Sequence, residues 1–429
     1  MVGGGLVMLF IVSWLLQWHP EFPKIMAASA GLLVLGDALA LFSVRKGIAA
    51  KRILPERFSN GDFNTVEIRF SSHFPFQSFL KITEELPVQF EIRENQFRHK
   101  LGPNERSGIT YLVKPLERGE YDFGFCQVFI STRIGLVVRR MATAVPGIVK
   151  VYPSFVQLRK YALLAQSAQQ AEIGSRQLRK IGHSLEFEQI KDYVPGDDIR
   201  SVNWKATARK GGLMVNHFVD ERSQQVYVAL DKGRLMKMPF NNLTLLDYAI
   251  NSSLVLCNVC LQRQDKFGLI TFSHKPGTVL PAQRNPIQLN HVLEALYRQE
   301  TDFLESDFEK LYLQVRTYVK HRSLLMLFTQ FESMGGMKRQ LPYLKQLAKH
   351  HLLMVVFFEN TELTELARQP VHDLEGIYQK TIAEKFVYEK KLIVRELQQN
   401  GIFTVLSAPD KLTIHTVNKY LELKSKQAI

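Results

Sequence analysis

The sequence predicts a doubly wound, mostly parallel α/β domain preceded by a β-sandwich-like domain and an N-terminal transmembrane hairpin. Three observations carry this. From Gln225 onward short apolar runs alternate with helical stretches, from Ile53 to Tyr152 apolar residues recur with period two, and two long apolar segments open the chain. A length of 429 residues lets each part bury its own core. The expected divisions are 1–52 for the hairpin and a basic collar, 53–153 for the β-rich domain, 154–224 for a connecting helix and a motif segment, and 225–429 for the α/β domain.

Ile25 to Val44 is a 20-residue apolar run broken only by Asp37. As a helix rising ~1.5 Å per residue it matches a hydrocarbon core of about 30 Å. Gly3 to Trp18 is apolar over 16 residues, either a short span anchored by Trp14 and Trp18 or one whose start is truncated, and His19 to Lys24 closes the pair into a hairpin. Ala28-Ser29-Ala30 looks like a signal-peptide cleavage site, but no basic n-region precedes it and apolar sequence continues beyond it. Arg45, Lys46, Lys51, Arg52 and Arg57 read as a juxtamembrane collar that outnumbers Lys24, which puts the bulk of the chain and its N-terminus on the cytoplasmic side. Asp37 is costly in lipid and is expected to find local pairing or water.

The formal net charge of +14 is compatible with nucleic acid, an acidic partner or an anionic leaflet. Acidic residues interleave with the basic ones throughout, which speaks against nucleic acid. Three cysteines in this length argue for a reducing compartment. Cys257 and Cys260 form a C-x-x-C inside the apolar helical run Leu254 to Leu261, where they read as packed small residues and not as a redox pair.

Between Ile53 and Tyr152, Val66-x-Ile68-x-Phe70 and Val88-x-Phe90-x-Ile92 alternate as strands do, and turn signals fall at Asn60-Gly61, Gly102-Pro103 and Arg118-Gly119. About six or seven short strands are expected. Phe155 to Lys180, Gln- and Ala-rich and free of proline, reads as a connecting helix. Strands are then expected at Val226 to Asp231, Phe267 to Phe272, Leu324 to Thr329, Leu352 to Phe358 and Ile402 to Leu406, with a helix from Leu243 to Arg263. Ligands of such sheets bind at carboxyl ends of strands, which singles out Asp231 and Thr329.

The motifs of familiar chemistry are missing: no G-x-x-x-x-G-K-[ST], no G-x-S-x-G and no H-E-x-x-H. His350-His351 is the closest histidine pair, but adjacent helical residues diverge by about 100°, so both read as surface or helix-end residues. No catalytic group and no cofactor is expected. The segment from Gly182 to Arg209 is denser. Pro195-Gly196 favours a type II turn, and Asp197 or Asp198 then caps a helix carrying Arg200, Trp204 and Lys205, with Arg200 and Trp204 on one face. Two readings stay open: a recognition surface built on an aromatic anchor, or a clamp in which Asp198 pairs with Arg209 and Trp204 plugs the core.

This segment resembles the signature of the bacterial family called domain of unknown function fifty-eight. The matching positions are Glu186, Phe187, Tyr193, Pro195, Gly196, Asp197, Asp198, Arg200, Trp204, Lys205, Ala208 and Arg209, with Asn203 where an Asp is common. The membrane hairpin, the β-rich segment with Arg118-Gly119-Glu120-Tyr121 and the strand ending at Asp231 extend the resemblance over essentially the whole chain. It implies a multi-pass protein of the inner membrane, a MoxR-type AAA+ ATPase as partner, and a von Willebrand A-like domain. In its metal-binding form that domain carries D-x-S-x-S plus a later Thr and Asp. Here the motif reads Asp231-Lys232-Gly233-Arg234-Leu235, Gln330 stands in place of the later Asp expected just after Leu324 to Thr329, and no clear Thr precedes the helix near Asn290. Lys232 and Arg234 bring positive charge to the cation's seat, so Asp231 is expected to pair with a neighbouring cation and the metal site to be degenerate. The expected function is that of a membrane-anchored, non-enzymatic adaptor without a small-molecule substrate. A metal-dependent adhesion-type module with replacement ligands is the alternative.

Overall fold

The computed structural model describes residues 21–45, 47–92, 95–143, 146–154, 185–195, 199–220, 224–301, 303–370 and 373–426. The expected first span Gly3–Trp18, Lys46, the connecting helix Phe155–Lys180, and Gly196, Asp197 and Asp198 lie outside them. The chain divides into two compact units, Met1–Ser154 and Phe155–Ile429.

The first unit opens with the helix Glu21–Phe42, whose Leu32, Leu33, Leu35 and Leu39 are exposed. Lys24–Phe42 is long and apolar enough to cross a membrane, which gives weak support to membrane association. Asp37 is buried against the β-rich part of the same unit, where Thr132 Oγ1 and the Val137 N–H (2.8 Å) donate to its carboxylate. Local pairing is therefore how its charge is met.

Ten strands follow among the described residues: β1 Ile48–Ile53, β2 Arg57–Ser59, β3 Asn64–Ser72, β4 Ser78–Glu84, β5 Gln96–Leu101, β6 Arg106–Val113, β7 Gly119–Phe123, β8 Cys126–Ser131, β9 Val138–Thr143 and β10 Gly147–Tyr152. They form sheets β1-β3-β6, β5-β4-β8-β9 and β2-β10-β7. Alternate residues Val66, Ile68 and Phe70 of β3 point inward. Ile68 and Phe70 share a core with Leu80 and Ile82 of β4 and Val128 and Ile130 of β8, and a second core gathers Phe58, Tyr121, Phe123 and Val151.

Three expectations fail in this unit. Among the described residues it holds ten strands and not six or seven, because several are short edge pieces such as Arg57–Ser59. Val88–Phe90 is a 3-10 turn with Val88 89% exposed, because Pro87 precedes it and Glu91 takes a left-handed φ of 54°. Arg52 is no collar residue: its side chain is 2% exposed and pairs at 2.7 Å with a fully buried Glu84. Burial still raises the Glu84 pKa more than the guanidinium lowers it.

In the second unit β11 Leu185–Asp192 pairs antiparallel with β12 Met214–Asp220. The main sheet contains β13 Gln225–Asp231, β16 Lys266–Phe272, β17 Pro276–Gln283, β18 Leu324–Phe328, β19 Leu352–Phe358 and β20 Phe403–Ser407, after the two-residue strands β14 Pro239–Phe240 and β15 Leu243–Thr244. Its order is β17-β16-β13-β18-β19-β20, parallel except for β17. β17 is unforeseen: Pro276 and Pro281 and its half-exposed pattern suit only an edge.

Thr244 starts the helix Leu245–Gln262 by a capping box with Asp247, two residues after the expected start at Leu243. The helix is mostly buried, Cys257 and Cys260 included, and burial raises both thiol pKa values. Its mean hydropathy would suit a span, but its place is the core of this domain. His350 ends a helix as expected, whereas His351 is buried beyond it.

Candidate functional site

β13 is bonded to β16 on one side and β18 on the other, so the chain winds away from it in both directions. That reversal leaves a crevice at the carboxyl ends of β13 and β18. Asp231 ends β13 and Thr329 follows β18, and the crevice is lined by Asp231, Gly233, Arg234, Ser306, Gln330 and Glu332 among others.

Asp231 is 4% exposed and its carboxylate is met from three sides. Oδ1 accepts from the Gly233 N–H at 2.8 Å and from Ser306 Oγ, and Oδ2 accepts from Thr329 Oγ1 at 2.5 Å. Burial raises the Asp231 pKa above the ordinary carboxylate range, and these three donors oppose the rise. Asp231 is thus matched by hydroxyls and a backbone amide, not by the cation expected from Lys232 and Arg234. The half-exposed Arg234 guanidinium instead points to Glu305 at 3.1 Å and Glu332 at 3.9 Å. Gly233 is needed for its size, since a Cβ there would collide with Ser306 Oγ. Leu235 is half-buried on the wall, and Gln330 is buried, accepting from the Phe358 N–H at 3.2 Å.

Ser306 was not foreseen. The helix adjoining the crevice is Phe308–Tyr318, capped by Asp307, and not the helix Ile287–Tyr297 near Asn290. A serine just before an N-cap was the available signal. Phe272, Phe308, Phe331 and Phe357 form an aromatic chain beneath the crevice, with successive ring centroids 5.5, 6.4 and 5.7 Å apart. Lys390 donates to the Phe331 carbonyl and Glu389 accepts from the Met334 N–H at 2.7 Å, so the helix Leu374–Gln399 ties down the loop on the far wall. Burial lowers the Lys390 pKa to about 8.

The second candidate is the β11–β12 hairpin. Glu186 lies in β11, Tyr193 follows it with its N–H donating to Leu213 O (2.9 Å), and Pro195 stands exposed in the turn. Between the strands, Ile199–Ser201 is a 3-10 turn carrying Arg200, and the helix Trp204–Lys210 carries Trp204, Lys205 and Arg209. The expected single helix from the Asp197-Asp198 cap is thus split. Val202 bridges to Val215, which keeps the chain extended there, and Asn203 restarts the helix by accepting from the Ala206 N–H at 3.1 Å. Asn203 also donates to Asn216 Oδ1 at 2.8 Å, and Thr207 Oγ1 accepts from the Met214 N–H at 3.0 Å, so the helix is held to β12. Trp204 is 70% exposed and so does not plug the core as the clamp reading expects, while the expected Asp198–Arg209 pairing lies outside the described residues. Ile199 is 72% exposed, Arg200, Lys205 and Arg209 are exposed too, and Lys210 pairs with Asp192 at 2.9 Å. A large aromatic side chain on a short, pinned helix among cations can serve as a contact anchor.

Comparison with known proteins matches residues 189–384 to the family described as "Protein of unknown function DUF58". That range runs from the end of β11 through the crevice. The uncharacterized protein YeaD of Bacillus subtilis is 26% identical over 227 residues, 52% of this chain and 54% of that protein. The match thus spans about half the length of this curated relative. Among solved structures, the CARDB domain of a Pyrococcus furiosus protein covers 24% of this chain and 91% of its own, at 13% identity and a TM-score of 0.19. A PapD-like domain of human CEP192 covers 24% and 84%, at 10% identity and a TM-score of 0.18.

Proposed function

We propose that the protein is a membrane-anchored, non-enzymatic adaptor that docks a partner on the β11–β12 hairpin, with Trp204 as the anchor. The observation that carries this reading is the exposure of Trp204, 70%, on a helix fixed by Asn203 and Thr207. A tryptophan left in water costs apolar hydration unless a partner covers it, and tryptophan and arginine dominate binding hot spots. The partner is a MoxR-type AAA+ ATPase, and the process served is complex assembly or envelope and stress tolerance in the inner membrane, with the soluble domains cytoplasmic. Both follow from the family resemblance. The test is co-purification from a detergent extract: an AAA+ protein enriched by the wild type and lost with Trp204→Ala supports the adaptor, and its absence from both preparations overturns it.

A von Willebrand A-like assignment draws its support from the six-strand order with one antiparallel edge and an acidic residue ending the central strand β13. The metal site of that fold does not fit the residues present. Oδ1 of Asp231 already accepts two hydrogen bonds and Oδ2 one, and the serine positions of the metal motif are Gly233 and Leu235. A hard divalent cation needs six or so oxygen ligands. The second reading, a metal-dependent adhesion-type module, is favoured by one observation: Ser306 and Thr329 bring two hydroxyl oxygens to Asp231. Calorimetry with Mg²⁺ and Mn²⁺ separates the two, since saturable binding abolished by Asp231→Ala selects the adhesion module.

A further inference from the structure

The helix Glu21–Phe42 is still apolar where it meets the β-rich domain. Val34, Asp37, Ala38 and Leu41 form one stripe at helical spacing, and along it Asp37 and Leu41 are 3% and 0% exposed. The loop between β8 and β9 covers that stripe: Thr132 Oγ1 and the Val137 N–H donate to Asp37, and Val137 and Val44 pack on the core that holds Leu41. On the remaining faces the helix stays apolar and bare, with Leu35 61%, Leu39 63% and Phe42 59% exposed. Phe42 lies five residues beyond Asp37, about 7.5 Å further along the axis. The loop that grips Asp37 therefore sits beside a helix whose other sides are still apolar at that level and past it.

The loop itself is built for such a place. Ile134 is 61% exposed at its tip, Val138 is 56% exposed at its base, and Gly135 takes the left-handed φ of 72° that closes the turn. Thr132 Oγ1 accepts from the N–H groups of Ile134 (3.2 Å) and Gly135 (3.4 Å), and the exposed Arg133 between them carries a cation that suits a phosphate headgroup. Arg139 donates to the carbonyls of Leu41 and Val44 at 2.7 Å each and of Arg45 at 2.9 Å, and its guanidinium lies 5.0 Å from the Phe42 ring centroid. It satisfies carbonyls that a helix end in lipid would otherwise leave unpaired.

We propose that the β8–β9 loop is itself a membrane-contacting element, seated at the boundary of headgroups and acyl chains beside the helix, with Ile134 and Val138 against lipid. The ligand is the phospholipid surface. The proposal rests on the helix Glu21–Phe42 crossing that membrane. Asp37 then spends its charge on loop donors instead of lipid, and the β-rich domain is held at the bilayer by two adjoining contacts, not hung from a linker.

The full chain is reconstituted into vesicles of zwitterionic and anionic phospholipid, with an environment-sensitive fluorophore on a single introduced thiol. The native Cys126, Cys257 and Cys260 are buried at 0% exposure and do not compete for label. Leu32→Cys reports on the spanning helix, and Ile134→Cys and Val138→Cys report on the loop. The expected result is strong quenching of Leu32→Cys by a mid-chain nitroxide lipid, and quenching of both loop labels several-fold greater by a nitroxide near the headgroup than by aqueous iodide. Lipid quenching of Leu32→Cys with loop labels reached only by iodide overturns the loop proposal and leaves the span standing. Iodide quenching at all three positions overturns the span and the proposal with it.

Discussion

Asp231 shows what one residue at a strand end can and cannot do. Its carboxylate is held by the Gly233 N–H and the hydroxyls of Ser306 and Thr329, so Asp231→Ala strands two buried donors and the half-buried Ser306 hydroxyl. The expected cost is on the order of 3 kcal/mol, read from urea unfolding of the detergent-solubilised chain, and an unchanged midpoint would contradict the closed arrangement. Lys390 gives a pH signature. Its folded pKa, about 8, lies below the ordinary 10.5, so between those values the folded state holds fewer protons than the unfolded one. Its contribution to stability is complete above the unfolded value and is lost as pH falls through about 8. Relative to Lys390→Met, the wild type should gain on the order of 2 kcal/mol between pH 8 and 10.5, and parallel pH curves would refute the burial of that amine. Asp231 and Thr329 were legible as strand-end residues from buried-strand patterns alone. Ser306 was not, because it is 75 residues away from Asp231 and only the course of the chain through β16, β17 and two helices brings it back.

Local elements obeyed their strongest signals and failed where two signals competed. The five parallel strands were legible as apolar runs, and in four of them both faces are covered, as in Leu352–Phe358, where six of the seven residues are buried; the edge strand β20 is only partly buried. β17 was not, since its prolines and exposed residues read as loop until the neighbouring β16 supplies the partner. At Val88–Phe90 the period-two pattern lost to the turn set by Pro87. In the motif segment the helix start moved from the aspartates to Asn203, a competent N-cap beside a strand bridge. Asn203→Ala should therefore loosen the helix Trp204–Lys210 at a cost of about 1 kcal/mol, while Asn203→Asp keeps the cap. Amide hydrogen exchange of Ala206 and Thr207 checks this: faster exchange in the alanine variant alone is expected, and equal exchange in both would remove Asn203 from that role.

For the whole molecule, the sequence separated the β-rich part from the α/β part by the change in hydrophobic period, and resemblance carried the rest. The function proposed here depends on keeping fold and contact surface apart: the crevice at Asp231 is closed upon itself, while the hairpin presents an aromatic side chain to solvent. A side chain that is 70% exposed contributes little to folding, so Trp204→Ala should leave the unfolding free energy within about 0.5 kcal/mol of the wild type. The most direct test is the affinity of the purified, detergent-solubilised chain for a purified MoxR-type AAA+ ATPase, measured for the wild type and Trp204→Ala side by side. The account predicts saturable binding by the wild type and an affinity about 30-fold weaker in the variant, as befits a hot spot worth about 2 kcal/mol. Equal affinities, or no binding by either protein, would contradict it.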